Sequence, residues 1–288
     1  MHITDSSSVQ YRSLLLKALF KRPKIKGSIQ TASSVTLTNP SFFIDGRALN
    51  RYCQHFGFEP SHIPLTYLFV ATQGELLQLF VHPETAVRPL GLVHTFVEFE
   101  MFQQLEAEQN YHFTVALEMV EKTEKGQRFE TVGEFSLEGQ VIARYRSGYL
   151  MPNRGVKSKK RQSAPVEDLS AYHISTTLET SKKHTKAYAK VSGDYNPIHL
   201  NGLMARLFGF KAPIVHGMDM AARLLNVASN EINTGLIKKC RFDFKRPVFV
   251  DQTLKVCSNE TQLLLVNEDN KSCVAMSLLE RELSSLWL

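Results

Sequence analysis

No apolar run in this chain approaches the ~20 residues that a membrane helix needs. The longest, Leu263 to Val266 and an Ile63 to Ala71 stretch interrupted by Pro64 and Thr66, fall well short, so no membrane span is expected. Cysteine is scarce. The four present, Cys53, Cys240, Cys257 and Cys273, form no CxxC pair, and three of them sit in apolar strand-like patterns. They read as buried free thiols of a reducing compartment, and a cytoplasmic location is expected. The stretch from Tyr11 to Lys24 lacks a long apolar region and a small-residue cleavage site, so it reads as a short amphipathic helix and not as a leader. His184, His199 and His216 have no acidic or thiolate cluster at ligand spacing, and no metal is expected. The basic run Lys157, Lys159, Lys160 and Arg161 lacks interleaved aromatics and any reader motif. It therefore reads as a solvated linker, with no nucleic acid partner.

What is present is a folding composition: 288 residues, 43% hydrophobic, with a formal charge of +6. That length accommodates two domains, and the positive balance favours acidic or phosphorylated partners. The pattern divides into a basic arm over 1–29, a first domain over 30–151, a linker over 152–168 and a second domain over 169–288. In the first domain a helical pattern runs from Phe42 through Arg47 to Phe56 and breaks at Gly57, and an apolar stretch follows from Leu65 to Phe80. Alternation then takes over. Phe113, Val115, Leu117 and Met119 alternate with more polar neighbours, and strand-like runs follow over Phe129 to Leu137 and Val141 to Leu150.

The second half repeats that order: a strand from Tyr172 to Thr176, a helix from Leu178 to Val191, a loop, a helix carrying Met218, Ala221, Ala222, Leu225 and Val227, then strands. Two echoes suggest a duplication. Phe56-Gly57-Phe58 before Pro64 matches Phe208-Gly209-Phe210 before Pro213, and Gly91-Leu92-Val93 matches Gly235-Leu236-Ile237. Tyr67 takes the position of His216 and reads as core or tunnel. The other first-half histidines, His55, His62, His82, His94 and His112, form no constellation and read as structural or surface groups.

One motif breaks the symmetry. Asp194-x-Asn196-Pro197-x-His199 occurs only in the second half, so any chemistry it supports occurs once per chain. A helix ending at Gly193 leaves the Asp194 carboxylate in a loop, and Pro197 delays the next helix until His199 can face the same spot. A carboxylate and an imidazole together can hold one water and move its proton. A helix beginning at Gly217 would add unsatisfied N–H groups and a positive dipole end, suited to an oxygen that gains charge.

The stretch Tyr188 to His199, with Phe208-Gly209-Phe210, Pro213 to Met218 and Phe242 to Phe249, resembles the MaoC-like (R)-specific enoyl-CoA hydratases over roughly 172–280. The resemblance implies an α+β double hotdog, two long helices each wrapped by an antiparallel sheet, with a degenerate first unit and a catalytic second. It implies a hydro-lyase that reversibly hydrates trans-2-enoyl thioesters of coenzyme A or an acyl carrier protein to (R)-3-hydroxyacyl thioesters. Asp194 and His199 would be the catalytic pair and the Gly217 amide the oxyanion donor. Ser192, Asn196, His216 and Met218 would shape the substrate site, His216 as a packed structural histidine. No cofactor beyond the thioester carrier is implied, and a homodimer is compatible. Some members carry a serine eight residues after the oxyanion glycine, where this chain has Leu225. Two rivals are an acyl-binding scaffold that kept the motif and a hotdog thioesterase.

Overall fold

The computed structural model describes residues 2–4, 14, 35–89, 91–153, 166–231 and 235–283. Most of the expected basic arm and amphipathic helix, and residues 154–165 of the expected linker over 152–168, lie outside the described residues. Contacts divide the chain into two units, residues 1–50 with 60–157 and residues 51–59 with 158–288.

The first unit is a sheet in the order β1-β2-β4-β5-β6-β3. Its strands are β1 (His2–Thr4), β2 (Thr36–Phe43), β3 (Val93–Met101), β4 (Asn110–Thr123), β5 (Gly126–Leu137) and β6 (Gln140–Pro152). All neighbours are antiparallel except β1 and β2. Pro40 cannot donate to a ladder, and the β2–β4 register shifts between Asn39 and Phe42 around it. Helix α1 (Gly46–Phe56) therefore starts later than the sequence suggests. Phe42 is extended, buried and paired with Tyr111, while Asp45 accepts from the Ala48 amide at 2.7 Å as the helix cap.

The apolar stretch after Ile63 forms two helices, α2 (Leu65–Ala71) and α3 (Gln73–Val81). Thr72 interrupts them. Its hydroxyl bonds back to the Leu68 carbonyl at 2.9 Å and meets the Tyr145 hydroxyl at 2.9 Å. Helix α2 packs on β3 and β6, and α3 on β2 and β4. The core between is aromatic: Phe113, Phe135, Tyr145, Phe99 and Phe129 are all buried. His94 stacks between Phe69 and Tyr149 with centroids at 5.3 and 5.0 Å and bonds Ser147, so it is a structural histidine as expected. Tyr67 is buried, as expected of core.

Gly133 sits opposite Tyr145 in the β5–β6 ladder, and a Cβ there would fall 2.3 Å from the tyrosine ring. Glycine lets that ring lie across the neighbouring strand. Gly133→Ala should cost about 1–3 kcal/mol through overpacking, read as a lower urea midpoint at unchanged slope.

The second unit is a five-stranded antiparallel sheet in the order β8-β11-β10-β9-β7. Its strands are β7 (His173–Glu179), β8 (Gly235–Phe244), β9 (Thr253–Ser258), β10 (Gln262–Val266) and β11 (Ser272–Leu283). Strand β7 runs through Leu178, which the sequence places in a helix. Ser181 then caps α4 (Lys182–Ser192) by accepting from the His184 amide at 3.2 Å. Short helices α5 (Pro197–Leu200) and α6 (Gly202–Leu207) follow, then α7 (Gly217–Glu231). Helix α7 packs against β8, β10 and β11. It buries Met218, Met220, Ala221, Ala222, Leu224, Leu225 and Ala228, so Leu225 is a core residue of this helix.

Residues 51–59 belong to this unit. Tyr52, Phe56 and Phe58 cluster there, Phe56 meets the Tyr188 ring at 6.0 Å, and Asn226 donates to the Gly57 carbonyl at 3.2 Å. All four cysteines are buried free thiols, as the sequence suggests.

Candidate active site

The site begins where α4 stops. Gly193 adopts φ 79°, and a Cβ there would meet nothing, so backbone conformation and not space calls for glycine. The Ser192 hydroxyl donates to the Tyr188 carbonyl at 2.9 Å and accepts from the Asp194 amide at 3.1 Å. Ser192 thus shapes the loop from within. Asp194 accepts from the Asn196 amide at 3.0 Å through Oδ1, a local turn that orients its carboxylate. Asn196 in turn caps α5 by accepting from the Ile198 amide at 3.4 Å, with Pro197 in the first turn. That single turn delivers His199.

The imidazole of His199 is fixed by a second segment. Its Nδ1 lies 2.8 Å from the Ile214 carbonyl, which can only accept, so Nδ1 carries the hydrogen and Nε2 presents a lone pair. Ile214 is held by an isolated bridge to Phe249, and Val215 donates to the Val248 carbonyl at 2.8 Å. His216 follows. Its Nε2 donates to the Asp194 carbonyl at 3.0 Å, and its ring stacks on that of His199 with centroids 3.8 Å apart. The opposite Nδ1 is buried without a partner among the described residues, and Tyr188 covers the ring at 4.7 Å.

The electrostatics follow from this packing. Burial lowers the His199 pKa, while the Asp194 carboxylate pulls in the other direction. His216 is pushed down to about 3 by burial and by the neighbouring His199. Both imidazoles are therefore neutral at neutral pH.

One turn further, α7 starts at Gly217. The Asp219 and Met220 amides both bond to the His216 carbonyl, at 3.1 and 3.3 Å, and the amides of Gly217 and Met218 precede any intrahelical partner. A Cβ on Gly217 would sit 3.1 Å from the Phe244 ring, so glycine keeps that amide approachable. The Met218 side chain is buried.

The fold thus brings Asp194, His199 and His216 together, with one ligand-type atom of each within 4.8 Å of the others. Ligand spacing in the sequence shows no such cluster, because the third member comes from another loop. The two rings are stacked 29° apart, and each donates from one nitrogen to a backbone carbonyl, which leaves the other nitrogen as an acceptor. A neutral imidazole nitrogen and a carboxylate are both acceptors. Together they suit a water that donates to each.

Sequence reasoning missed Asp219. It is fully buried on the first turn of α7, and Arg223 donates to its Oδ1 at 3.0 Å, while Oδ2 has no partner among the described residues. Burial raises its pKa against the pull of Arg223. His55, read from sequence as having no constellation, lies within electrostatic reach of this carboxylate. Burial lowers the His55 pKa and Asp219 opposes that shift. The i,i+4 spacing of Asp219 and Arg223 was the available signal; nothing local pointed to His55.

A mainly antiparallel sheet packed on helices in each unit defines the class: the chain is an α+β double-hotdog protein. Its fold is that of the crystal structure of HtdX from Mycobacterium tuberculosis, with a TM-score of 0.71 over 84% of this chain and 98% of that one at 22% identity. Residues 161–280 match the MaoC like domain.

Among curated proteins, the chain is 26% identical over 165 residues to 3-hydroxyacyl-thioester dehydratase X of Mycobacterium tuberculosis, covering 57% of this chain and 59% of that protein. It is 38% identical over 132 residues to the peroxisomal multifunctional enzyme type 2 of Drosophila melanogaster, covering 42% of this chain and 22% of that enzyme. The matches thus span less than two thirds of these relatives. Among the described residues, no helix is long and apolar enough to cross a membrane.

Proposed function

We propose that the chain is a hydro-lyase that reversibly adds water to trans-2-enoyl thioesters to form (R)-3-hydroxyacyl thioesters. The observation that carries this reading is the convergence of Asp194 with a His199 whose tautomer is set by the Ile214 carbonyl. A water between them donates one hydrogen to the carboxylate and one to Nε2, which turns its oxygen lone pairs toward the substrate. As the C3–O bond forms, Asp194 takes a proton from the water and the thioester oxygen gains charge. The Gly217 amide, at the positive end of α7, stabilises that oxygen. The pair then returns one proton to C2, so the elements of one water are added and nothing else is consumed.

Ser192, Asn196 and His216 hold these groups and Met218 is buried in the first turn of α7; no cofactor enters the scheme. The relatives named as a 3-hydroxyacyl-thioester dehydratase and a peroxisomal multifunctional enzyme support the same reading. The assignment of the second half as catalytic rests on the motif occurring once.

The test is the absorbance of short, medium and long trans-2-enoyl thioesters with the purified protein. We expect loss of the conjugated band with a 3-hydroxy product of (R) configuration. Release of free thiol instead would make the protein a thioesterase, and an unchanged band for every chain length on both coenzyme A and carrier protein would overturn the reading.

A further inference from the structure

Beside the site lies a face that the chemistry does not use. Leu203 and Leu207, one turn apart on α6, are 68% and 71% exposed, and Tyr195 is 41% exposed. A six-residue helix that places two leucines on one solvent-facing side, with exposed Arg206 between them, has an unsatisfied apolar surface. Helix α5, which carries His199, touches both α4 and α6.

The segment that builds this face is predominantly cationic, with exposed Glu179 and Asp251 only beside the start of α4. From Thr180 to Met218 the only acidic side chain is Asp194, against six cations. On α4, Lys182, Lys186 and Lys190 recur every four residues and are exposed, as is Lys183. At ~1.5 Å per residue the row is about 12 Å long.

We propose that this face docks an acidic protein domain that carries the thioester, with its carboxylates against the α4 lysines and an apolar ridge over Leu203 and Leu207. The inference rests on the hydro-lyase reading for its substrate. A nucleotide carrier would satisfy the cations and leave both leucines in water. A second copy of this chain would bring lysine row against lysine row. A lipid surface would find only two leucines on a short helix, without the broad apolar face that interfacial helices use. A carrier protein matches both features, and docking there brings its tethered acyl group beside His199, three residues before Gly202.

Leu203→Ser/Leu207→Ser and, independently, Lys186→Glu/Lys190→Glu test this. The substrates are the crotonyl thioesters of coenzyme A and of a purified acidic acyl carrier protein, with binding of the latter followed by calorimetry at low and high salt. We expect each double variant to lose about tenfold or more in kcat/KM on the carrier thioester, with the coenzyme A thioester unchanged for the leucine variant. Binding of the carrier should weaken with salt and with either variant.

Equal loss on both substrates, or loss on neither, overturns the proposal. So does wild-type turnover of the coenzyme A thioester without any carrier binding. Sedimentation with anionic phospholipid vesicles, or self-association, that the leucine variant abolishes would assign the face to a membrane or to a second copy instead. If wild type converts neither thioester, the hydro-lyase reading fails, and the calorimetry still decides whether the carrier docks here.

Discussion

We expect Asp194→Asn to fold, keep its loop and lose most of its turnover. The loop survives because its supporting bonds do not need the charge: Ser192 accepts from the residue 194 amide, His216 donates to its carbonyl, and the asparagine oxygen can still accept from the Asn196 amide. What disappears is a basic acceptor for the water proton. A second effect has the same sign. The Asp194 charge opposes the burial that lowers the His199 pKa, so removing it makes the imidazole harder to protonate and weakens its ability to pass a proton on. Loss of one acid/base group accounts for about 10²–10⁴ in rate. We therefore expect kcat to fall by that order with KM little changed, since the substitution removes a proton acceptor and keeps the loop. The His199→Gln variant should fall similarly, and the double variant only slightly further, because the two act on one water. Far-UV circular dichroism and the unfolding midpoint establish that the variant is folded. A folded Asp194→Asn protein within tenfold of wild-type kcat on the same thioester would remove Asp194 from the reaction.

The parts of this site that the sequence reveals are those held by neighbours in the chain. Ser192, Gly193, Asp194, Asn196 and Pro197 set the loop through bonds reaching no more than four residues, so their spacing carries the geometry. His199 and Gly217 could be paired from sequence because they close two adjacent loops. Asp219 and His55 stand 164 positions apart, and no local pattern links a histidine on one helix to a carboxylate on another. Strand β3 shows a related limit. Val97, Phe99 and Met101 are buried and alternate with Glu98 and Glu100, yet the register slips between His94 and Phe96, and that irregularity masks the alternation at the start of the strand. The start of α1 and the end of β7 were misplaced for a different reason. Phe42 and Leu178 fit either an apolar helix face or a strand, and cross-strand partners at Tyr111 and Leu254 decide.

Acid should unfold this protein earlier than its carboxylates alone dictate, through His216. In the folded state burial and His199 hold its pKa at about 3, against 6.5 for an unperturbed imidazole. Between those values the unfolded chain binds a proton that the folded chain refuses. Stability is therefore complete above about pH 6.5, declines as pH falls toward about 3, and takes no further loss from this group below that. At 1.36 kcal/mol per unit, about two units of acidification from pH 6.5 cost on the order of 3 kcal/mol. His199, also lowered by burial, adds to the same slope. Asp219 works against it. Its folded pKa is raised by burial, so its protonation on acidification favours the folded state. His216→Gln separates these contributions, because the amide can still donate to the Asp194 carbonyl but cannot titrate. Urea unfolding of both proteins at about pH 7.5 and about pH 4.5 should show the wild type losing more stability by roughly 3 kcal/mol, with equal slopes against urea. Parallel losses would mean that His216 takes up its proton in the folded state as readily as in the unfolded chain. The stacked, carbonyl-bound imidazole would then have to open to solvent, breaking the contact that fixes the backbone of Asp194.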